Sequence, residues 1–364
     1  MTKHCTNKGL LWLMMLMISI PVMLQAQNKP GPVELPGKYQ SYTLLPNGWR
    51  LTPSGKQVPI GELPLNMVVT KNDRYAITSN SGMGINSLSV VDIKTLKEVQ
   101  RYVVSNTWVG LAFGPDDKRL YVSGGNNNVV YVFNFKRGKL YPDDTLVIGK
   151  KFPKGDISLT GLALNNRKNQ LLAVSQKSNM LYVVDLKSKK VIKKVEMPGK
   201  SYDIKINHAR TYAFISIWGK ATVVEIDLNN YTITHRYKTG DHPNDMVISP
   251  DDSRLFVTNA NNNSVTVIDL VKNELSETIQ TALLPDLPYG STPDALALSP
   301  DGDKLLIANA DNNYLAVFDV KKPGHAGSLG FIPVGWYPTA VKYLKSGKIL
   351  VANGKGISSR ANPN

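Results

Sequence analysis

The sequence holds one cysteine and five histidines in 364 residues. A single thiol excludes an internal disulfide, a cysteine-based zinc site and a Cys-x-x-Cys-His haem attachment. His208, His235 and His325 lack the spacing of a zinc site. No G-x-S-x-G elbow, phosphate-cradling loop or EF-hand loop occurs, and Asp301-Gly302-Asp303 reads as a turn. No helical period is sustained anywhere in the repeating part of the chain. These absences leave no catalytic constellation, metal set or cofactor motif to start from.

What is present is an ordinary globular composition, 42% hydrophobic and 20% charged, with a basic excess of 43 Lys plus Arg over 28 Asp plus Glu. Residues 1–26 read as a secretory signal. Lys3 and Lys8 charge its front, Leu10 to Leu24 form a mostly apolar stretch, and Leu24-Gln25-Ala26 offers a small residue at the cut. The apolar stretch is 15 residues long, whereas a bilayer span needs roughly 20. Cleavage would remove Cys5 and leave a mature chain without cysteine or a transmembrane helix, in the periplasm or outside the cell. Residues 27–41, with Pro30, Pro32, Pro36, Gly31 and Gly37, read as an extended linker.

From residue 42 to 364 the chain repeats itself. The clearest copy runs from Pro243 through Ser249-Pro250-Asp251-Asp252 and Phe256-Val257-Thr258-Asn259 to Ser264–Leu270. A second starts at Thr292-Pro293-Asp294 and passes Ser299-Pro300-Asp301-Gly302. Aligning the first polar or small residue of each copy gives Asn66, Gly110, Gly161, Asp203, Asp245, Asp294 and Thr339. The mean step is about 45 residues, the length of a four-stranded propeller blade. Short runs rich in Val, Ile, Tyr and Phe supply the strands, Ser-Pro-Asp-Asp supplies type I turns, and Asn261-Asn262-Asn263 a tight hairpin. The expected fold is all-β: a seven-bladed propeller of four-stranded antiparallel blades. Its last unit, 337–353, has only two strands. Residues 42–45 and 57–60 are therefore expected to complete that blade, so that both chain ends share it and no edge is left free.

Phe256-Val257-Thr258-Asn259, Tyr121-Val122-Ser123 and Leu306-Ile307-Ala308-Asn309 resemble the YVTN repeat of YncE-like seven-bladed propellers. The opening Leu44-Leu45-Pro46-Asn47-Gly48-Trp49-Arg50-Leu51-Thr52-Pro53 and the ending Val351–Gly356 to Ala361–Asn364 resemble a narrower group, in which such a propeller is joined to an alkaline-phosphatase-type phosphoesterase. That resemblance implies a phosphoesterase domain or partner protein. None of the phosphoesterase's metal or nucleophile positions has a counterpart here, so no catalytic residue carries over.

In a propeller, the loops entering the innermost strands share one face with the loops between second and third strands. The candidate ligand mouth therefore holds Trp108, Lys200, Tyr202, Asp203, His242, Asp245, Asp294, Trp336 and Tyr337, with Asn259 and Asn309 from the second set. Aromatic faces beside carboxylates and amides suit a polar ligand. The same residues could instead cap turns and pack between blades. Three functions follow: an exported non-catalytic binding or scaffold propeller, a lactonase working through His242, Asp245 and Lys200, or a binder of nucleic acid or another anionic polymer. The last would use Lys136, Arg137, Lys139, Lys150, Lys151 and Lys154 in the second blade and Lys187, Lys189, Lys190, Lys193 and Lys194 in the third.

Overall fold

The computed structural model describes residues 34–283 and 290–359; the signal sequence, the front of the linker and residues 360–364 lie outside the described residues. Within them the chain is almost wholly strand. Six consecutive sheets each have four antiparallel strands in sequence order, spanning 64–103, 111–147, 159–196, 201–238, 243–280 and 293–333. A seventh, 338–353, has two. The innermost strand of each sheet touches that of the next all the way round, and Pro338–Tyr343 returns to Pro64–Val69. The ring therefore closes at seven blades, as the repeat predicts.

Each blade is built from the same rule. Second and third strands carry apolar residues on both faces and are mostly buried, as in Arg254–Asn259 and Ser264–Asp269, where only Arg254 and Asp269 are half-exposed. Outermost strands alternate, as in Lys190–Glu196, with one face on the core and the other in water. The core lies between sheets: Leu172, Val183, Ile204 and Ile215 pack as one cluster across the third and fourth blades. Such burial contributes roughly 1.5–3 kcal/mol per large side chain.

The seams carry hydrogen bonds as well as apolar contacts. Asn66 Nδ2 donates to the Val109 carbonyl at 2.6 Å, Ser123 Oγ to Leu159 at 2.9 Å, Thr160 Oγ1 to Ser201 at 3.0 Å and Ser216 Oγ to Asn244 at 2.9 Å. Asn244 Nδ2 then reaches Asp294 at 2.7 Å, Tyr337 N reaches Asn313 at 2.9 Å, and Thr339 Oγ1 donates to the Pro64 carbonyl, closing the circle. Two glycines permit the tightest approaches. A Cβ on Gly110 would lie 2.3 Å from the Thr160 carbonyl oxygen, and one on Gly161 2.8 Å from the Asp203 Cα.

On the opposite face the turn aspartates do more than shape their own loops. Asp73, Asp117 and Asp252 all stand in left-handed backbone, with φ of 55°, 56° and 59°. Each accepts a backbone N–H from the preceding blade: Lys345 at 2.6 Å, Lys71 at 2.6 Å, and both His208 and Ala209 at 2.8 and 2.9 Å. The second Asp of the Pro-Asp-Asp turn is thus a clasp between blades, a role its turn chemistry alone does not reveal.

The meeting of the chain ends differs in detail from the expectation. Gly37–Lys38, Thr43–Leu44 and Arg50–Leu51 pair with one another as a small three-stranded sheet. Residues 57–60 form no strand; Pro59 has no N–H to give to a ladder. Side chains make the junction instead. Thr43 Oγ1 donates to the Ile357 carbonyl at 2.9 Å, Ser359 Oγ donates to that of Leu44, and Ser54 N donates to Pro333 at 2.9 Å. Leu44, Leu45 and Leu51 are buried there. Deleting residues 42–60 should lower the melting temperature by well over the few degrees that about 1 kcal/mol represents. An unchanged thermal melt would show that the head is not part of the fold.

Candidate functional site

The site begins with a repeated irregularity. In six blades the pairing of the innermost strand with the second slips near its start, between Pro64 and Asn66, Leu159 and Leu162, Ser201 and Ile204, Pro243 and Met246, Pro293 and Ala295, and Pro338 and Ala340. Bulges of this kind bend a strand and re-aim a side chain. Just before the strand the backbone is left-handed at Leu63, Ser158, His242, Thr292 and Tyr337, with φ between 46° and 64°. For β-branched Thr292 that conformation is costly, so strain collects on this rim. Counted from the pairing with the second strand, Asp294 and Thr339 stand one residue earlier than Asp203 and Asp245. The repeat alignment slides by one in the last two blades, because Ala295 and Ala340 hold the equivalent place.

The bulges turn a set of polar side chains into the central channel. Asn66, Tyr202, Asp203, Asp245, Asp294, Thr339 and Lys342 line a cavity of about 40 Å³, and Asn66, Asp203, Lys205 and Arg210 line a second of about 150 Å³. Lys205 Nζ lies 2.6 Å from Asp203 Oδ2 and 3.2 Å from Asp245 Oδ1. Burial opposes the lysine's charge, but the two carboxylates outweigh it and hold the ammonium on. Asp203 is pushed up by burial, which Lys205 only partly offsets. For Asp245, burial is outweighed by Lys205, Lys342 and the Leu296 N–H at 2.9 Å, so its carboxyl is held down. Lys342 is shifted down by burial, a cost that the nearby carboxylates do not cancel.

Asp294 is the exception in this cluster. Burial, then the charges of Asp245 and Asp311, push its carboxyl up to about 7, and the Asn244 amide returns only part of that. No lysine or arginine forms an ion pair with it among the described residues. Burial, then the charges of Asp294 and Asp311, raise Tyr337 to about 12, and burial with Asp294, Asp203 and Asp245 raises Tyr202.

The structure therefore brings together Tyr202, Asp203, Asp245 and Asp294, from three blades, with Tyr337 of a fourth beside them. It places the other expected residues elsewhere. Asn259 and Asn309 are fully buried; Asn259 Nδ2 binds the hydroxyls of Ser264 at 3.0 Å and Thr266 at 2.9 Å, and Asn309 is tied to Thr281. They staple strands and do not enter the mouth. Lys200 is exposed. His242 Nδ1 lies 2.8 Å from Asp241, its ring edge-on to Trp218 at 4.1 Å, while Asp245 is engaged with Lys205. The His242, Asp245 and Lys200 set is thus not assembled. Trp336 and Tyr337 form one wall of the rim, with Lys355 Nζ 5.4 and 4.3 Å from their ring centres. Trp108 is half-buried, its indole N–H unpartnered. Sequence reasoning missed Lys205 and Lys342. The signal was present: both stand where the other innermost strands carry Val68, Ala163, Val247 and Ala297.

The basic residues of the second and third blades are exposed on outer strands and loops, and Lys189 pairs with Asp144 across the seam at 2.7 Å. Among the described residues no group of His, Cys, Asp and Glu is arranged to hold a metal, and no helix is long and apolar enough to cross a membrane.

Blade number, strand order and the polar channel define a seven-bladed β-propeller. Residues 223–358, less than half of the chain, match the family described as "Lactonase, 7-bladed beta-propeller". The proteins called YncE from Salmonella typhimurium (strain LT2) and Salmonella typhi are each 24% identical over 182 residues, 49% of this chain and 49% of theirs. The match thus spans about half the length of those relatives. A chain of Kuenenia stuttgartiensis hydrazine synthase superposes with a TM-score of 0.66 at 16% identity, covering 82% of this chain and 95% of that one. The WD40 repeats of RRP9 superpose with a TM-score of 0.66 at 13% identity, covering 82% and 88%. The two structures support the fold alone. Within the class of seven-bladed propellers, the chain is similar to the YncE proteins over about half its length.

Asp294 makes the site's pH dependence testable. Its carboxyl titrates from an ordinary 3.8 up to about 7 on folding. The folded chain therefore keeps a proton that the unfolded chain releases, and ionising the group in that window costs stability. Between about pH 4 and pH 7 wild type should lose stability relative to Asp294→Asn. Thermal melts across that range read the difference, and a constant gap between the two proteins would contradict the assignment.

Proposed function

We propose that the chain is an exported, non-catalytic binding propeller that presents its upper mouth to a ligand and serves a phosphoesterase domain or partner. The observation that carries this reading is the convergence of Tyr202, Asp203, Asp245 and Asp294, from three blades, on one cavity of the channel. Carboxylates locked by Lys205 and by backbone N–H groups make a preorganised wall. The phosphoesterase link is supported by the resemblance of residues 44–53 and 351–364 to the propeller side of such fusions, and export by the apolar leader at Leu10 to Leu24. The basic outer strands are available to an anionic polymer as a secondary surface.

A second reading, a lactone hydrolase, is favoured by the family match over 223–358 and by Asp294. A carboxyl titrating at about 7 is suited to proton transfer near neutral pH. In that reading Asp294, not His242, is the base.

One assay separates the two. The purified chain is given γ- and δ-lactones and, separately, p-nitrophenyl phosphate. The binding reading expects no turnover of either above that of Asp294→Asn. Lactone hydrolysis that is lost in Asp294→Asn and retained in His242→Ala overturns it in favour of the hydrolase.

A further inference from the structure

The charges of the channel are not spread evenly along it. By register, Asp294 stands first along its strand, Asp203 and Asp245 one position further in, and Lys205 and Lys342 two positions beyond those. Lys205 answers Asp203 and Asp245. Among the described residues no cation pairs with Asp294, and its hydrogen bond there is from the neutral Asn244 amide at 2.7 Å. Asp311, whose charge adds to that of Asp294, accepts the Thr292 hydroxyl at 2.5 Å and pairs with no cation among the described residues. The upper end of the channel is therefore electronegative, although the chain as a whole carries +15.

The walls there are aromatic. Tyr202 lines the same cavity as Asp294, and Tyr337 stands one residue before the strand Pro338–Tyr343, whose Thr339, Ala340, Val341 and Lys342 line it too. A cation already lies on this wall. Lys355 Nζ sits 4.3 Å above the centre of the Tyr337 ring and 5.4 Å above Trp336, within the reach at which a ring face attracts a positive charge. Lys355 comes from the exposed turn after the last strand. The cavity below, about 40 Å³, has room for a few waters or one small ammonium head.

We propose that the upper mouth binds an organic cation, a primary or methylated ammonium, with its charge on Asp294, its flank against Tyr202 and Tyr337, and Lys355 displaced from the Tyr337 ring face. This rests on the reading of the mouth as a ligand site and adds the ligand's chemistry. Lys355 is then a resident competitor, and its removal should improve binding.

The test uses n-butylammonium chloride, with n-butanol and sodium butyrate as neutral and anionic counterparts, followed by tryptophan fluorescence and calorimetry on the full chain. The expected result is saturable binding of butylammonium alone, weakened about tenfold by Asp294→Asn and tightened about threefold by Lys355→Ala. The opposite signs of the two variants separate a ligand contact from a folding defect, because a misfolded mouth cannot bind more tightly. Equal binding of butylammonium and butanol overturns the cation and leaves an apolar ligand mouth standing. Preference for butyrate, or no response to any probe, also overturns it. Failure of the wider binding reading has its own signature: lactone turnover lost in Asp294→Asn.

Discussion

The structure depends on one contact made seven times: a polar group near the upper end of each blade bonded across the seam to the next. Apolar faces between sheets supply most of the attraction, but they are non-directional and would tolerate other packings. The seam bonds set the angle. Where they come closest the chain has Gly110 and Gly161, because any side chain would strike the neighbouring backbone. The last bond, from Thr339 Oγ1 to the Pro64 carbonyl, joins residues 275 positions apart and turns a stack of sheets into a ring.

The same device makes the candidate site. A strand without a bulge alternates its side chains strictly, one face to each side. The slip near the start of six of the seven innermost strands releases that alternation just where neighbouring strands crowd the axis. One polar residue can then bond the seam while the next points into the channel: Asn244 bridges to Asp294, and Asp245 beside it takes Lys205 and the Leu296 N–H. Fold and site are therefore coupled. Asp294 accepts a seam bond and also stands in the channel without a cation, and its shift toward neutrality is the electrostatic cost of holding both positions.

Much of this was legible in the sequence, and the gaps have physical causes. The blade count could be read because each unit repeats its turn chemistry, and Tyr202, Asp203, Asp245 and Asp294 could be found because they open each repeat. Lys205 and Lys342 were hidden because attention went to strand starts, although a lysine among Val68, Ala163, Val247 and Ala297 is anomalous. Asn259 and Asn309 were misplaced because an amide at a strand end looks alike whether it faces a ligand or a neighbouring hydroxyl. The clasp made by Asp252 was invisible because its partner, the backbone of His208 and Ala209, lies 43 to 44 residues away. Residues 42–45 and 57–60 were expected as outer strands of the last blade, but the head pairs with itself over 37–51, in a register that no local pattern encodes.

The ring's closure is most directly tested by native-state hydrogen exchange on the amides of Pro64–Val69 and Pro338–Tyr343, the two innermost strands joined by Thr339. The account predicts that both are protected to the same extent as the innermost strands of the third to fifth blades, opening only with the whole molecule. It also predicts that Thr339→Val makes this pair exchange faster while leaving those blades unchanged. Early exchange of Pro338–Tyr343 in the wild type, independent of the rest, would mean that the seventh blade is an appendage and the seam bonds do not close a ring.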